Sequence, residues 1–245
     1  MSLEIRQPTR AELDIAMDWT TTEGWNLGVN DAEFFYHYGT EGYLIALRNG
    51  EPVGFFGSIL MEPAFAAADL FIVKPGLRNY FVGRDLGRAA LQLLEDRNAS
   101  APAVKGKVRN YKFHGFKIAY DMERCEGVIG TCLADPGLVD LKEIAAETLM
   151  AYDRICYPVD RARLMTQWIN YPGAVALGLM QEGRLAGYGV MRKAVKGFRI
   201  EPLYADDAAI AVRLLSALLA QATAGDTFFL DLPDVNPGAA ELRRR

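Results

Sequence analysis

The chain is poor in the residues that build metal and disulfide chemistry. Its 245 residues include three cysteines and two histidines. Cys125, Cys132 and Cys156 are odd in number and form no CxxC pair, which argues against a disulfide framework and for free thiols in a reducing compartment. His37 and His114 belong to no HxxxH or HExxH pattern, so no metal site is expected. No run of about 18 apolar residues occurs, and no membrane span is expected. The opening MSLEIRQPTRAELD lacks the apolar centre of a signal peptide. These absences predict a cytoplasmic protein that does not engage a membrane. An excess of positive charge is missing too: 27 Lys and Arg stand against 31 Asp and Glu, a net charge of −4. That excludes a basic coat for nucleic acid, so no nucleic-acid partner is expected. With 51% hydrophobic and 24% charged residues, the composition is that of a globular protein and excludes a disordered or collagen-like chain.

What is present reads as an α+β fold. Residues 3–9 alternate like a strand. Residues 10–25 place Leu13, Ala16, Met17 and Thr20 on one helical face. Asp31 is a candidate cap for a second helix that ends at Gly39. Residues 42–61 are two apolar runs joined by Asn49-Gly50, a dipeptide that takes positive φ cheaply and signals a hairpin. An apolar strand at 66–75 stops at Pro75. A helix over 83–97 carries Leu86, Ala90, Leu91 and Leu94. A short strand at 103–108, a helical turn closed by Gly115 and a strand at 116–127 complete the half. The order β-α-α-β-β-β-α-β-α-β predicts a mixed, mostly antiparallel sheet flanked by helices.

The second half restarts the pattern. Helices are predicted at 146–154 and 159–170, and a hairpin over 174–193 turns at Glu182-Gly183. A strand at 197–205 is followed by a helix capped by Asp206-Asp207, with Ile210, Leu214, Leu215 and Leu218 on one side, and a strand covers 226–233. Gly50 and Gly54 map onto Gly183 and Gly187 with a constant offset of 133. The repetition predicts an internal duplication into two α+β domains, 1–127 and 128–245, joined within EGVIGTCLADPG.

The stretch DLFIVKPGLRNYFVGRDLGRAAL (69–91) is the richest in chemistry. A buried strand ends at a proline, an arginine-bearing loop follows, and a helix opens, which is the layout of an anion site at a helix N-terminus. Lys74, Arg78, Arg84 and Arg88 concentrate positive charge there. The run Arg78-Asn79-Tyr80-Phe81-Val82-Gly83 resembles the acetyl-CoA motif of the Gcn5-related N-acetyltransferase (GNAT) superfamily, Arg/Gln-x-x-Gly-x-Gly/Ala. The segments GWNLGVNDAEFF (24–35), FIVKP (71–75), NYKFHGF (110–116), AYDR (151–154), LAGYGVMR (185–192) and LDLPDVN (230–236) extend the resemblance over nearly the whole chain, to the bacterial tandem-GNAT type.

The resemblance implies an acetyl-CoA-dependent N-acetyltransferase acting on a primary amine of a small molecule or on an amino terminus, without a metal. It implies cofactor contacts along the strand at Leu70, Phe71, Ile72 and Val73, in the motif at Arg78, Asn79, Tyr80, Phe81, Val82, Gly83 and Arg84, and at Asn110. Tyr111, four residues before a Gly-Phe pair, matches the tyrosine that protonates the departing thiolate. Glu62 and Asp69, flanking the loop between the third and fourth strands, are the candidates for the base that deprotonates the amine. Trp25, Asn26 and Asp31, between the first two helices, are the candidates for the amine acceptor site, rings and a carboxylate suiting an amine. Phe34 nearby reads as core, and Phe35 is open between core and acceptor site.

One residue departs from the family pattern. Phe81 stands where the motif has its first glycine, and a ring there either turns outward and leaves the loop intact or fills the phosphate cavity. The second possibility supports a different reading, a degenerate GNAT-fold module that binds an acyl-CoA or a metabolite without catalysis. The second half has no arginine-glycine loop and carries Glu201 where an anion would approach, so it is expected to be a diverged GNAT-like domain that walls the substrate cleft. A homodimer is compatible with such a chain.

Overall fold

The computed structural model describes residues 3–78 and 80–244, and of Tyr80 and Arg244 the backbone alone. The chain separates into two compact units, Met1–Asn110 and Tyr111–Arg245.

The first unit contains β1 (Glu4–Arg6), α1 (Arg10–Thr22), α2 (Asp31–Tyr38), β2 (Tyr43–Arg48), β3 (Glu51–Glu62), β4 (Phe65–Val73), α3 (Tyr80–Leu93) and β5 (Asn98–Ser100). The sheet order is β1-β2-β3-β4-β5. Neighbours are antiparallel except β4 and β5, which run parallel. Helix α1 starts in a reciprocal cap: Thr9 Oγ1 accepts from the Glu12 amide, and Glu12 accepts from the Thr9 amide at 2.7 Å. Arg6 grips the same carboxylate at 2.7 and 2.8 Å, holding the Glu12 pKa down at about 2. The apolar face of α1 buries Leu13, Ala16 and Trp19. Helix α2 adds Phe34 and Phe35, the latter against Tyr43. On the other side of the sheet, Val82, Leu86, Ala90 and Leu94 pack on Ala46, Val53, Phe56, Ala66 and Ala68. The hairpin β2–β3 turns where Asn49 (φ 53°) and Gly50 (φ 80°) are both left-handed, the conformation that matches strand twist.

The second unit holds most of α4 (Val108–Phe113), then β6 (Met122–Val128), β7 (Leu138–Asp140), α5 (Ala146–Cys156), α6 (Ala162–Ile169), β8 (Val175–Gln181), β9 (Arg184–Lys193), β10 (Phe198–Ala205), α7 (Ala208–Leu219), β11 (Thr227–Pro233) and α8 (Pro237–Arg244). Its sheet order is β6-β11-β10-β9-β8-β7, with β10 and β11 parallel. Asp207 caps α7 through the Ile210 amide at 2.8 Å. Helix α7 packs on one face of the sheet through Ile210, Leu214 and Leu218, and Leu149, Tyr152 and Met165 of α5 and α6 pack with Tyr188 and Val190 in a separate cluster.

The duplication is written in the register. Tyr43↔Gly57, Leu44↔Phe56, Ile45↔Phe55 and Ala46↔Gly54 of the first hairpin correspond, at an offset of 133, to Ala176↔Val190, Leu177↔Gly189, Gly178↔Tyr188 and Leu179↔Gly187 of the second. The irregularity after Ala46 recurs after Leu179, and Glu182 (φ 50°) and Gly183 (φ 78°) repeat the turn.

The structure corrects the sequence reading in several places. Helix α3 begins at Tyr80 rather than at 83, so Phe81, Val82 and Gly83 lie in its first turn and not in a loop. Residues 103–108 form no strand. Their alternation is broken by Lys105-Gly106-Lys107, which takes a tight 3₁₀ turn leading into α4, and the parallel partner of β4 is 98–100 instead. Of the strand expected at 116–127 only the end is regular, and it pairs along its whole length with β11, in the second sheet. Strand β7 is too short to show a period.

Beneath β9, the AYDR segment builds a buried charge pair. Asp153 is 1% exposed, and Arg161 gives it two hydrogen bonds of 2.7 and 2.8 Å. The hydroxyl of Tyr188 donates to the same carboxylate, and Arg161 reaches Tyr204 Oη at 3.2 Å. Removing one partner strands the other charge out of water. We predict that Arg161→Ala lowers stability by about 3–5 kcal/mol, measured by urea unfolding; a loss below about 1 kcal/mol, the worth of an exposed pair, would show that the network is not held dry.

Candidate active site

The site grows out of the way β4 loses its neighbour. Pairing of β4 with β5 is confined to Phe65–Ala67 against Asn98–Ser100. Beyond it, Leu70, Phe71 and Ile72 pair with Gly57, Phe56 and Phe55 of β3 on one side only, and no ladder to β5 continues. The register of β3 and β4 slips between Gly57 and Ser58, opposite Leu70 and Ala68, so Asp69 is the extra, bulged residue. Asp69 therefore lies inside the strand and is exposed, not in the connecting loop. Glu62 pairs with Phe65 at the far end of the hairpin, ~17 Å along the strand from Gly57 at ~3.4 Å per residue. The structure separates the two carboxylates that the sequence placed together.

Past Val73 the chain turns into α3. Arg78 folds back, its Nε donating to the Val73 carbonyl at 3.1 Å and its guanidinium pairing with Glu23 at the end of α1. The motif arginine thus braces the turn. Asn79 lies outside the described residues. Of Tyr80 only the backbone is described, as the first residue of α3. Phe81 is 61% exposed, with the Arg84 guanidinium 5.3 Å from its ring centroid. The ring is turned out. Val82 is fully buried in the core beneath the helix, and a Cβ built on Gly83 would meet only Val73 Cγ2, at 3.9 Å. The face of the first turn at Gly83 is open space. Arg84, paired with Asp85, and Arg88 add positive charge to a helix end that already carries it. A strand run with neighbours on one side, a glycine with room beside it and a cationic helix start fit an extended thioester cofactor that carries a diphosphate.

The expected acceptor residues are spread between solvent and core. Trp25 is half-buried. Asn26 is buried in a left-handed conformation (φ 54°). Asp31 is 2% exposed and accepts from the Gly28 amide at 2.8 Å, closing the turn before α2, whose cap position is Asn30. Asn110 and Tyr111 lie on α4, Asn110 exposed as the last residue of the first unit and Tyr111, the first of the second, edge-on to Phe116 at 5.4 Å. Burial raises the Tyr111 phenol above its usual range, so it is protonated at neutral pH.

Sequence reasoning missed Tyr43. It is 1% exposed, and with Phe35, Gly57, Ile59, Asp69 and Leu70 it lines a crevice at the bulge that is too narrow as it stands to hold a water. The available signal was Gly57, a glycine inside a strand, where another group often approaches closely.

The second unit repeats the frame without the fittings. Strands β10 and β11 pair only over Phe198–Ile200 and Phe228–Leu230, and β10 has its own irregularity after Ile200. The connection from Ala205 to Ala208 is much shorter than the one from Val73 to Tyr80, and it carries Asp206 and Asp207 instead of arginine. Among the described residues, no group of three or more metal-ligating side chains occurs, and no helix is long and apolar enough to cross a membrane.

Two mixed sheets in series, each with a parallel pair that opens toward a helix, define the class of a tandem acyltransferase fold. Comparison with known proteins agrees. The family described as acetyltransferase (GNAT) domain matches residues 149–245. The holothin acyltransferase of Pseudoalteromonas sp. (strain SANK 73390) is 25% identical over 228 residues, 93% of this chain and 78% of that protein. A crystal structure of an acetyltransferase candidate from Pyrococcus horikoshii shares the fold with a TM-score of 0.77 at 21% identity, covering 99% of this chain and 83% of that one. A tandem GNAT protein from the clavulanic acid biosynthesis pathway does so with a TM-score of 0.65 at 14% identity, covering 99% and 94%. Residues 149–245 thus match a GNAT acetyltransferase domain, the chain is similar over most of its length to an acyltransferase, and its fold is shared with a tandem GNAT protein.

The open face at Gly83 makes a prediction in which stability and binding move apart. Alanine makes only an ordinary contact with Val73 there and favours helix over glycine by about 0.5–1 kcal/mol. Gly83→Ala is expected to melt at or above the wild-type temperature while its affinity for acetyl-CoA, read by calorimetric titration, falls. Unchanged affinity would mean that the cofactor does not approach this turn.

Proposed function

We propose that the first unit transfers an acetyl group from acetyl-CoA directly to a primary amine, on a small molecule or an amino terminus. The observation that carries this reading is the run Leu70–Val73 of β4, which pairs with β3 and lies beyond the three residues paired with β5, leading on toward the N-terminus of α3. When bound, acetyl-CoA supplies an activated thioester. Backbone groups of Leu70, Phe71, Ile72 and Val73 would hold its amides as a further strand would be held. The first-turn amides of α3, from Tyr80 to Arg84, with Arg88, Asn79 and Asn110, would take the phosphates.

Two proton transfers are needed. A neutral amine is the nucleophile, so a proton must leave it. Asp69, exposed beside the crevice, suits that role better than Glu62 beside the hairpin turn. The departing thiolate needs a proton, and Tyr111, which is kept protonated by burial, is proposed as its source on the family pattern. The acceptor would enter from the side of α2, past Trp25, Asn26 and Asp31. The holothin acyltransferase relative is consistent with a small-molecule acceptor. The alternative reading, a binding module without catalysis, rested on Phe81, and the exposed ring takes that support away.

The test is thiol release from acetyl-CoA over a panel of primary amines. Asp69→Asn is expected to lower kcat ~10²–10⁴-fold, the usual worth of a positioned proton acceptor. Its residual rate should climb with pH as the amine loses its proton in solution. Tyr111→Phe should lower kcat with little change in acetyl-CoA affinity. Absence of thiol release with every amine, or full activity in Asp69→Asn, would overturn the reading.

A further inference from the structure

The crevice at the β4 bulge has one feature that the fold does not require. Tyr43, Gly57 and Leu70 lie in one row across β2, β3 and β4. A Cβ on Gly57 would stand 2.8 Å from Cδ1 and Cε1 of Tyr43, so the tyrosine ring lies over the glycine. Phe35 and Phe55 hold that ring from two sides, at centroid distances of 5.9 and 6.0 Å. The Tyr43 hydroxyl is buried and has no hydrogen-bond partner. Nor does the crevice have room for a water to satisfy it. The adjacent Ser58 is different: its hydroxyl donates to the Gly42 carbonyl at 2.9 Å. Of the charged groups around the phenol, Asp69 acts on it most strongly, followed by Asp31 and Glu41, and with burial they keep it neutral.

A buried hydroxyl left unpaired is costly and demands an explanation. Packing does not supply one. The same row in the second unit is Ala176↔Val190, both buried in an ordinary core, so the frame closes well without a tyrosine over a glycine. Phenylalanine at 43 would fill the space equally and strand nothing.

Resting on the acetyltransfer reading above, we propose that Tyr43 is an acceptor-binding residue: the incoming amine opens the crevice and is held between the Tyr43 hydroxyl and the Asp69 carboxylate. The phenol oxygen accepts from one N–H of the amine and the carboxylate from another. The apolar walls of Phe35, Ile59 and Leu70 then favour a primary amine on an unbranched carbon, the smaller group for a crevice with no spare room to open around.

The experiment compares wild type with Tyr43→Phe, using n-butylamine and its branched isomer sec-butylamine as probes. Melting is measured without ligand, binding by calorimetric titration of n-butylamine, and turnover by thiol release from acetyl-CoA. Tyr43→Phe is expected to melt at or above the wild-type temperature, because it loses only an unpaired hydroxyl. Its affinity for n-butylamine should fall, and its KM for that amine rise, by about tenfold or more, the worth of one hydrogen bond to a charged group. Its KM for acetyl-CoA should not move, and wild type should prefer n-butylamine to sec-butylamine. A melting temperature several degrees below wild type would show that the hydroxyl is partnered and structural, and would overturn the proposal. So would n-butylamine affinity equal in the two proteins, or undetectable in wild type. If wild type binds the amine more tightly than Tyr43→Phe but neither protein releases thiol, the amine site stands and the acetyltransfer reading falls.

Discussion

Two parallel strands that share hydrogen bonds over three residues and then part leave one of them with donors and acceptors along an open edge. In the first unit that strand is β4, and the parting begins after Ala67. The bulge at Asp69 sits just beyond it and turns a carboxylate outward from an otherwise buried strand. The same strand then feeds the arginine-braced turn and the N-terminus of α3. Strand edge, carboxylate and helix end are thus set in one line by backbone pairing alone. The side chains beneath them, Val82, Leu86 and Ala90, fix the helix to the sheet through a core that leaves the Gly83 face open.

The second unit shows what the frame is without its fittings. Its first hairpin has the register of the first unit's, residue for residue, including the irregularity and the left-handed turn. The side chains differ in kind. Where the first unit has Tyr43 over Gly57, the second has alanine against valine. Where the first has Phe55, the second has Tyr188, bonded to a buried Asp153–Arg161 pair. The first unit has a crevice beside Tyr43, and the second has a buried polar network around Tyr188. The long, basic connection before α3 shrinks to Asp206-Asp207 before α7. One copy carries the groups proposed to face a ligand, and the other carries a buried Asp153–Arg161–Tyr188 network.

Much of this was legible in the sequence, because the signals were local. Asn49-Gly50 and Glu182-Gly183 mark both hairpins, and the spacing of Leu86, Ala90 and Leu94 marks the helix behind the candidate site. The anion-site layout of 69–91 was also readable, being a strand, a proline stop and a cluster of arginines in order. What escaped was non-local. The strand 122–128 is contiguous with the first half, yet its hydrogen bonds go to β11, more than a hundred residues away, and no periodicity reports a partner. Tyr43 escaped for the same reason: its meaning comes from a glycine across the hairpin and a bulge two strands over. Glu62 and Asp69 looked equivalent because the sequence shows their nearness along the chain, while the hairpin puts Glu62 beside its turn and Asp69 midway along it.

The central claim is that one unit of the duplicated pair takes the acyl donor and the other does not. Calorimetric titration of the intact chain with acetyl-CoA tests it most directly, since the stoichiometry counts sites without reference to any acceptor. The account predicts one molecule bound per chain. Two per chain would contradict the loss of the site from the second unit, and none at millimolar acetyl-CoA would contradict its presence in the first.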